Sequence, residues 1–170
     1  MAVCIRRVPG AEWIAMRLAE QIRIELLERT VHGLDWLARL RGRTPDLPAH
    51  LETGAAGEDA AYFYLRRKGY TVVAQRWSAG NVPGDLDLIA WQGPMLCFFE
   101  VKTRTARDMT PAEAAVDEHK RDILRRLARQ YLRQLPRRTA PESRFDLISV
   151  YMEPEKKPEI MHFENAFSQS

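Results

Sequence analysis

Asp87, Glu100 and Lys102 are the residues of this chain whose types and spacing could do chemistry. Twelve residues separate Asp87 from Glu100, and each ends a strand-like apolar run: Asp85 to Ala90, then Met95 to Val101, with Gln92-Gly93-Pro94 as the turn signal between them. Side chains alternate along a strand, so Leu96, Phe98, Glu100 and Lys102 share one face while Cys97, Phe99 and Val101 share the other. A four-residue loop from Gln92 to Met95 sets Trp91 opposite Leu96, Ile89 opposite Phe98, Asp87 opposite Glu100 and Asp85 opposite Lys102. Opposed Cβ atoms lie roughly 5 Å apart. Two carboxylates that close repel unless a hard cation lies between them, and Mg²⁺ takes oxygen ligands at about 2.1 Å while keeping several waters. Lys102 could then stabilise phosphate charge or help deprotonate an attacking water. The chemistry such a set would support is metal-dependent phosphodiester cleavage with Mg²⁺ or Mn²⁺. A Glu-Val-Lys tripeptide alone is better read as a strand end meeting solvent. Two acids and a lysine converging among Leu, Ile, Phe and Val point to function, because charges in such company are costly unless paired or coordinated.

Several elements must position these groups. A helix is expected from about Gly54 to Lys68, closed by Gly69, with Glu58, Tyr62 and Leu65 on one face. Glu58 on that face wants a partner, or else it favours the positive end of the helix. Tyr70 to Trp77 reads as the first strand of the sheet and Ser78 to Gly84 as a flexible approach to Asp85. Thr110-Pro111-Ala112-Glu113 has the form of a capping box opening a helix that reaches about Leu135, with Val116, Ile123, Leu124, Leu127, Ala128, Tyr131 and Leu135 as its apolar stripe. The same stretch carries Lys120, Arg121, Arg125, Arg126, Arg129, Arg133, Arg137 and Arg138 against Asp122 alone, a surplus of seven positive charges from Lys120 to Arg138. Such a stripe suits phosphate contacts that give affinity without reading sequence; a solvated helix face is the plain alternative. Arg104 and Arg107 extend the basic surface. Arg144 to Tyr151 and Ile160 to Phe163 read as further strands, with Asp146 expected to pair with Arg144 or Lys120 rather than to bind metal.

In order along the chain, Gly57-Glu58, Leu65 with Gly69-Tyr70, Gly84-Asp85-Leu86-Asp87-Leu88-Ile89, Phe99-Glu100-Val101-Lys102-Thr103-Arg104, Ala115-Val116 with Lys120, Arg144-Phe145-Asp146 and Asn165-Ala166-Phe167 resemble the YraN family of bacterial proteins. The resemblance runs from Thr53 to the end. It implies a restriction-endonuclease-like fold akin to Holliday junction resolvases, within the PD-(D/E)XK nuclease group. By that resemblance Glu58 matches a first-helix glutamate that joins the metal site, and Lys120 reaches towards it. The chain departs from the family in having Asp85 where glutamate is usual and in lacking a glycine after Lys102-Thr103-Arg104.

Ala11 to Arg41 has helical apolar spacing, through Ile14, Leu18, Ile22, Leu26, Leu27, Val31, Leu34 and Trp36-Leu37, with Gly33 as a break or kink; Arg43 to Thr53, with Pro45 and Pro48, reads as a linker. Interleaved arginines and glutamates argue against a membrane-surface helix and for packing, a homodimer or a partner protein. The 170 residues, 45% apolar and 29% charged, suit a globular chain, and a net charge of +3 permits nucleic-acid contact without establishing it. Cys4 and Cys97 form neither a disulfide framework nor a zinc pattern. The absence of an apolar run near ~20 residues, and of a secretory segment at the N-terminus, leads to the expectation of no membrane and a cytoplasmic setting. The expected architecture is α/β, a mixed central sheet flanked by helices over 53–170 after a helical extension and linker over 1–52. The expected activity is hydrolysis of phosphodiester bonds in DNA or RNA, DNA ahead of RNA and branched structures by analogy to the resolvases, by Glu58, Asp87, Glu100 and Lys102. Arg104, Lys120, Arg121, Arg125, Arg126, Arg129 and Arg133 are the expected nucleic-acid contacts. The rival is a nucleic-acid-binding protein with a vestigial site.

Overall fold

The computed structural model describes residues 10–40, 49–105, 116–136, 141–153 and 156–168. Its contacts divide the chain into two compact units, Met1–Asp46 and Leu47–Ser170. The first contains one helix, α1 (Gly10–Leu40), of 31 residues. Gly33 does not break it: a lone glycine costs a helix only about 1 kcal/mol against alanine. Leu18, Ile22, Leu26, Leu27, Leu34 and Leu37 are exposed on α1.

The second unit is built from α2 (Ala49–Arg67), β1 (Thr71–Ala79), β2 (Val82–Gln92), β3 (Met95–Arg104), α3 (Glu118–Gln134), β4 (Ser143–Tyr151) and β5 (Glu159–Phe167). The sheet runs β1-β2-β3-β4-β5, antiparallel throughout except for the parallel pair β3 and β4. Parallel neighbours need a long crossover, and α3 lies in it. The sheet is therefore mixed and flanked by helices, as expected.

β3 alternates between the two layers. Leu96 and Phe98 join Leu124, Leu127 and Ala128 of α3 in one core, while Cys97, Phe99 and Val101 join Ala61 and Leu65 of α2 in the other. By the same alternation Glu100 and Lys102 fall on the α3 side. The β2–β3 hairpin has the expected register, with Trp91 opposite Leu96 and Ile89 opposite Phe98. Its loop is shorter than four residues, because Gln92 pairs with Met95 and only Gly93-Pro94 turn the chain. Gly93, at φ +59°, takes the position where a tight hairpin turn needs positive φ.

Other boundaries differ from the sequence expectation for local reasons. α2 starts at Ala49, directly after Pro48, with Glu52 in its first turn, so the linker is shorter than Arg43–Thr53. It ends as expected at Gly69: at φ +88° the Gly69 N–H reaches Arg66 O and the Tyr70 N–H reaches Leu65 O, both at 3.0 Å. Ser78 to Gly84 is a hairpin rather than a flexible approach, with Ala79 opposite Val82. The expected capping box, 110–113, lies outside the described residues. The described helix starts later, where the Asp117 carboxylate accepts the Lys120 N–H at 2.8 Å. β5 does not stop at Phe163. Asn165, at φ +53°, absorbs a register break, and the strand continues to Phe167, whose ring stacks on Phe145 at 4.7 Å.

Candidate active site

The ladder between β2 and β3 gives out beyond Leu88 opposite Phe99. At the next step a side chain replaces the backbone: Asp87 Oδ2 accepts the Val101 N–H at 2.6 Å. The two strands part there. Asp87, Glu100, Val101, Thr103 and Thr105 line one side of a cavity of about 490 Å³, and Thr53, Gly54 and Glu58 of α2 line the other. The approach of α2 depends on Gly57, where an added Cβ would stand 1.9 Å from Thr103 Oγ1.

Glu100 is 3% exposed, and both its oxygens face ammonium groups. Lys102 Nζ lies 2.9 Å from Oε1, and Lys120 Nζ, brought in by the first turn of α3, lies 3.2 Å from Oε2. The second contact is an ion pair without hydrogen-bond geometry, so Oε2 is a buried oxygen with no donor. Asp87 is pushed up from an ordinary 3.8 to about 7, by burial first and by the Glu100 charge next; the Val101 N–H and the Lys120 charge pull it down, and Glu58 adds to the rise. Electrostatically the three carboxylates are neighbours. They do not close into one cluster: among the described residues no group of three or more His, Cys, Asp or Glu could hold a metal ion. The Glu58 carboxylate is turned to Arg76, whose Nε lies 2.5 Å from Oε2.

Glu100 raises the proton affinity of Asp87 and itself keeps one buried oxygen without a donor; carboxylates are the acidic ligand type, one or two from a protein, to which Mg²⁺ binds before water and phosphate complete its shell.

The expected basic stripe divides. Arg125 pairs with Glu118 at 2.6 Å and Asp122 at 2.8 Å and donates to Ser168 O; Arg121 pairs with Glu118 at 3.6 Å and lies over the Phe167 ring. Lys120 is committed to Glu100. Arg126, Arg129 and Arg133 remain on the exposed side of α3, while Arg104 is half-buried at the end of β3. Asp146 is fully buried and takes the expected pairing with Arg144, at 2.9 Å. It also accepts from His162 and the Asn165 N–H, both at 2.9 Å. Burial alone would raise its carboxyl, but those hydrogen bonds and the Arg144 charge hold it below its ordinary value. Sequence reasoning missed His162 and Arg76, since each meets its partner only through the pairing of distant strands or packing on α2.

A mixed five-stranded sheet between helices, with acidic and basic side chains gathered where its second and third strands part, makes this an α/β protein consistent with a restriction-endonuclease-like fold. The chain belongs to the uncharacterised protein family UPF0102, whose pattern matches residues 57–150. It is 52% identical over 123 residues to a UPF0102 protein of Koribacter versatilis, covering 72% of this chain and 84% of the relative. A UPF0102 protein of Solibacter usitatus is 44% identical over 106 residues, covering 62% and 80%, and one of Pelotomaculum thermopropionicum is 36% identical over 115 residues, covering 67% and 93%. Among the described residues no helix is long and apolar enough to cross a membrane.

Proposed function

We propose that this chain is a Mg²⁺- or Mn²⁺-dependent nuclease that hydrolyses phosphodiester bonds, with DNA as the favoured substrate. The observation that carries this reading is the pair Asp87 and Glu100, aimed into one cavity at the split between β2 and β3, with Glu100 Oε2 buried and lacking a donor. In this reading Asp87 and Glu100 hold the cation, which supplies charge stabilisation at the phosphate and a more acidic water. The Val101 N–H fixes one oxygen of the Asp87 carboxylate, and the residue lines the cavity. Lys102, one-third exposed and anchored on Glu100 Oε1, presents its ammonium to a non-bridging phosphate oxygen and stabilises the charge that develops there. Glu58, held by Arg76, orients water on the α2 side. Arg126, Arg129 and Arg133 contact backbone phosphates. A reducing cytoplasm suits the free, buried Cys97.

The test is incubation with branched, single-stranded and duplex DNA and with RNA, in Mg²⁺, Mn²⁺ or chelator. Metal-dependent cleavage is expected, lost in Asp87→Ala and Lys102→Ala. Cleavage unchanged by both substitutions would refute this assignment. A second reading, nucleic-acid binding without cleavage, draws on the two lysines that already neutralise Glu100. It predicts binding that survives both substitutions with no cleavage under any metal.

A further inference from the structure

Each oxygen of Glu100 has its own ammonium, and the two lysines are not equivalent. Lys102 belongs to the same strand and projects from the same face, so its 2.9 Å contact follows from β3 alone. Lys120 comes from another layer. Its backbone N–H is fixed by the Asp117 cap, which places residue 120 in the first turn of α3 with its side chain 3.2 Å from Glu100 Oε2. That contact is held by charge rather than by a directed hydrogen bond. Lys120 also acts on Asp87, lowering its proton affinity against the rise caused by Glu100. Its positive charge thus acts on both carboxylates, by contact at Glu100 and through space at Asp87.

We propose that Lys120 is a resident counter-ion: its ammonium holds the seat between Glu100 and Asp87 in the metal-free protein and swings out when a divalent cation takes that seat. This rests on the metal-binding reading above. An ammonium 3.2 Å from Oε2 and a cation about 2.1 Å from the same oxygen would repel at close range, so both cannot keep those positions. The exit is open, because the Lys120 side chain is 29% exposed and its four-carbon stem is flexible. Turned outward, the same ammonium becomes available to a substrate phosphate, which makes it a positioning residue for metal and substrate in succession.

Mn²⁺ titration calorimetry on the full chain tests this without reference to cleavage. Lys120→Met should bind Mn²⁺ roughly tenfold more tightly than wild type, because the competing charge is gone, and Lys120→Arg should stay near wild type. Unchanged or weaker binding by Lys120→Met overturns the inference and leaves the nuclease reading standing. Failure of wild type and all variants to bind Mn²⁺ overturns both. A second measurement guards against a folding defect. In chelator, Lys120→Met should lower the melting temperature of wild type but not of Glu100→Gln, since the pair it breaks is already gone; equal losses in both backgrounds would overturn the counter-ion role.

Discussion

Asp87→Asn should stabilise the metal-free protein at alkaline pH, although it alters a central residue of the candidate site. The substitution keeps an oxygen to accept the Val101 N–H and removes only the charge. Asp87 is raised from 3.8 to about 7, so between those values the folded state holds a proton that the unfolded chain has released. The stability linked to this group is full below pH ~4 and is lost as pH rises through 7. The gap corresponds to about 4 kcal/mol at most; Asp87 is only half-buried and Lys120 is close, so roughly 2 kcal/mol is the expected gain at pH 8. For a unit of this size that is a rise in melting temperature of roughly 8 °C. The assay is thermal or urea unfolding of wild type and Asp87→Asn in chelator from pH 4 to 9. The two curves should coincide near pH 4 and diverge through neutrality, with the variant above. Added Mn²⁺ should then raise wild type and leave Asp87→Asn unmoved. A variant that is less stable than wild type at pH 8, or offset from it equally at every pH, would refute the picture of two carboxylates opposing each other across the cavity.

Three other perturbations follow from the packing. Gly57→Ala should destabilise the fold by about 2 kcal/mol or more, because its Cβ would overlap Thr103 Oγ1; Thr103→Ala in the same chain should recover part of the loss in urea unfolding. Asp146→Asn should cost about 3 kcal/mol, because it removes the buried charge that pairs with half-buried Arg144 and His162. Its pH dependence is opposite to that of Asp87: the Asp146 carboxyl is held low, so the deficit is full at neutral pH and shrinks only as pH falls below the ordinary aspartate range. Changing Arg126, Arg129 and Arg133 together to Glu should leave the fold intact, since all three are exposed, and should abolish nucleic-acid binding. Neutralising them one at a time should flatten the slope of log affinity against log salt by about 0.9 for each phosphate that no longer meets an arginine.

The parts of this architecture legible in the sequence are those governed by short-range rules. Strand alternation placed Glu100 and Lys102 on one side, and the Gly93-Pro94 turn fixed the register that brings Asp87 beside them. Gly69 closed α2 where its left-handed conformation requires. The cap at Asp117 was not legible in the same way, because Thr110 carries the same capping chemistry and local sequence does not rank the two. Asn165 hid the continuation of β5, since an asparagine that usually ends a strand here spends its left-handed turn on a bulge tied to Asp146. The pairing of Glu58 with Arg76 and of Asp146 with His162 had no local signal at all. The first closes only when α2 packs on the sheet, the second only when β4 and β5 pair. Part of the basic stripe meets a partner that spacing alone did not pick out: Glu118, two residues before Lys120, pairs with Arg125 and Arg121.

One amide in this protein is wired to its cavity. The Val101 N–H points at a carboxylate rather than at a neighbouring strand, so its proton senses whatever that carboxylate is doing. Its chemical shift and its exchange with solvent deuterium form a built-in gauge of ionisation and occupancy, readable residue by residue in solution before any substrate is known.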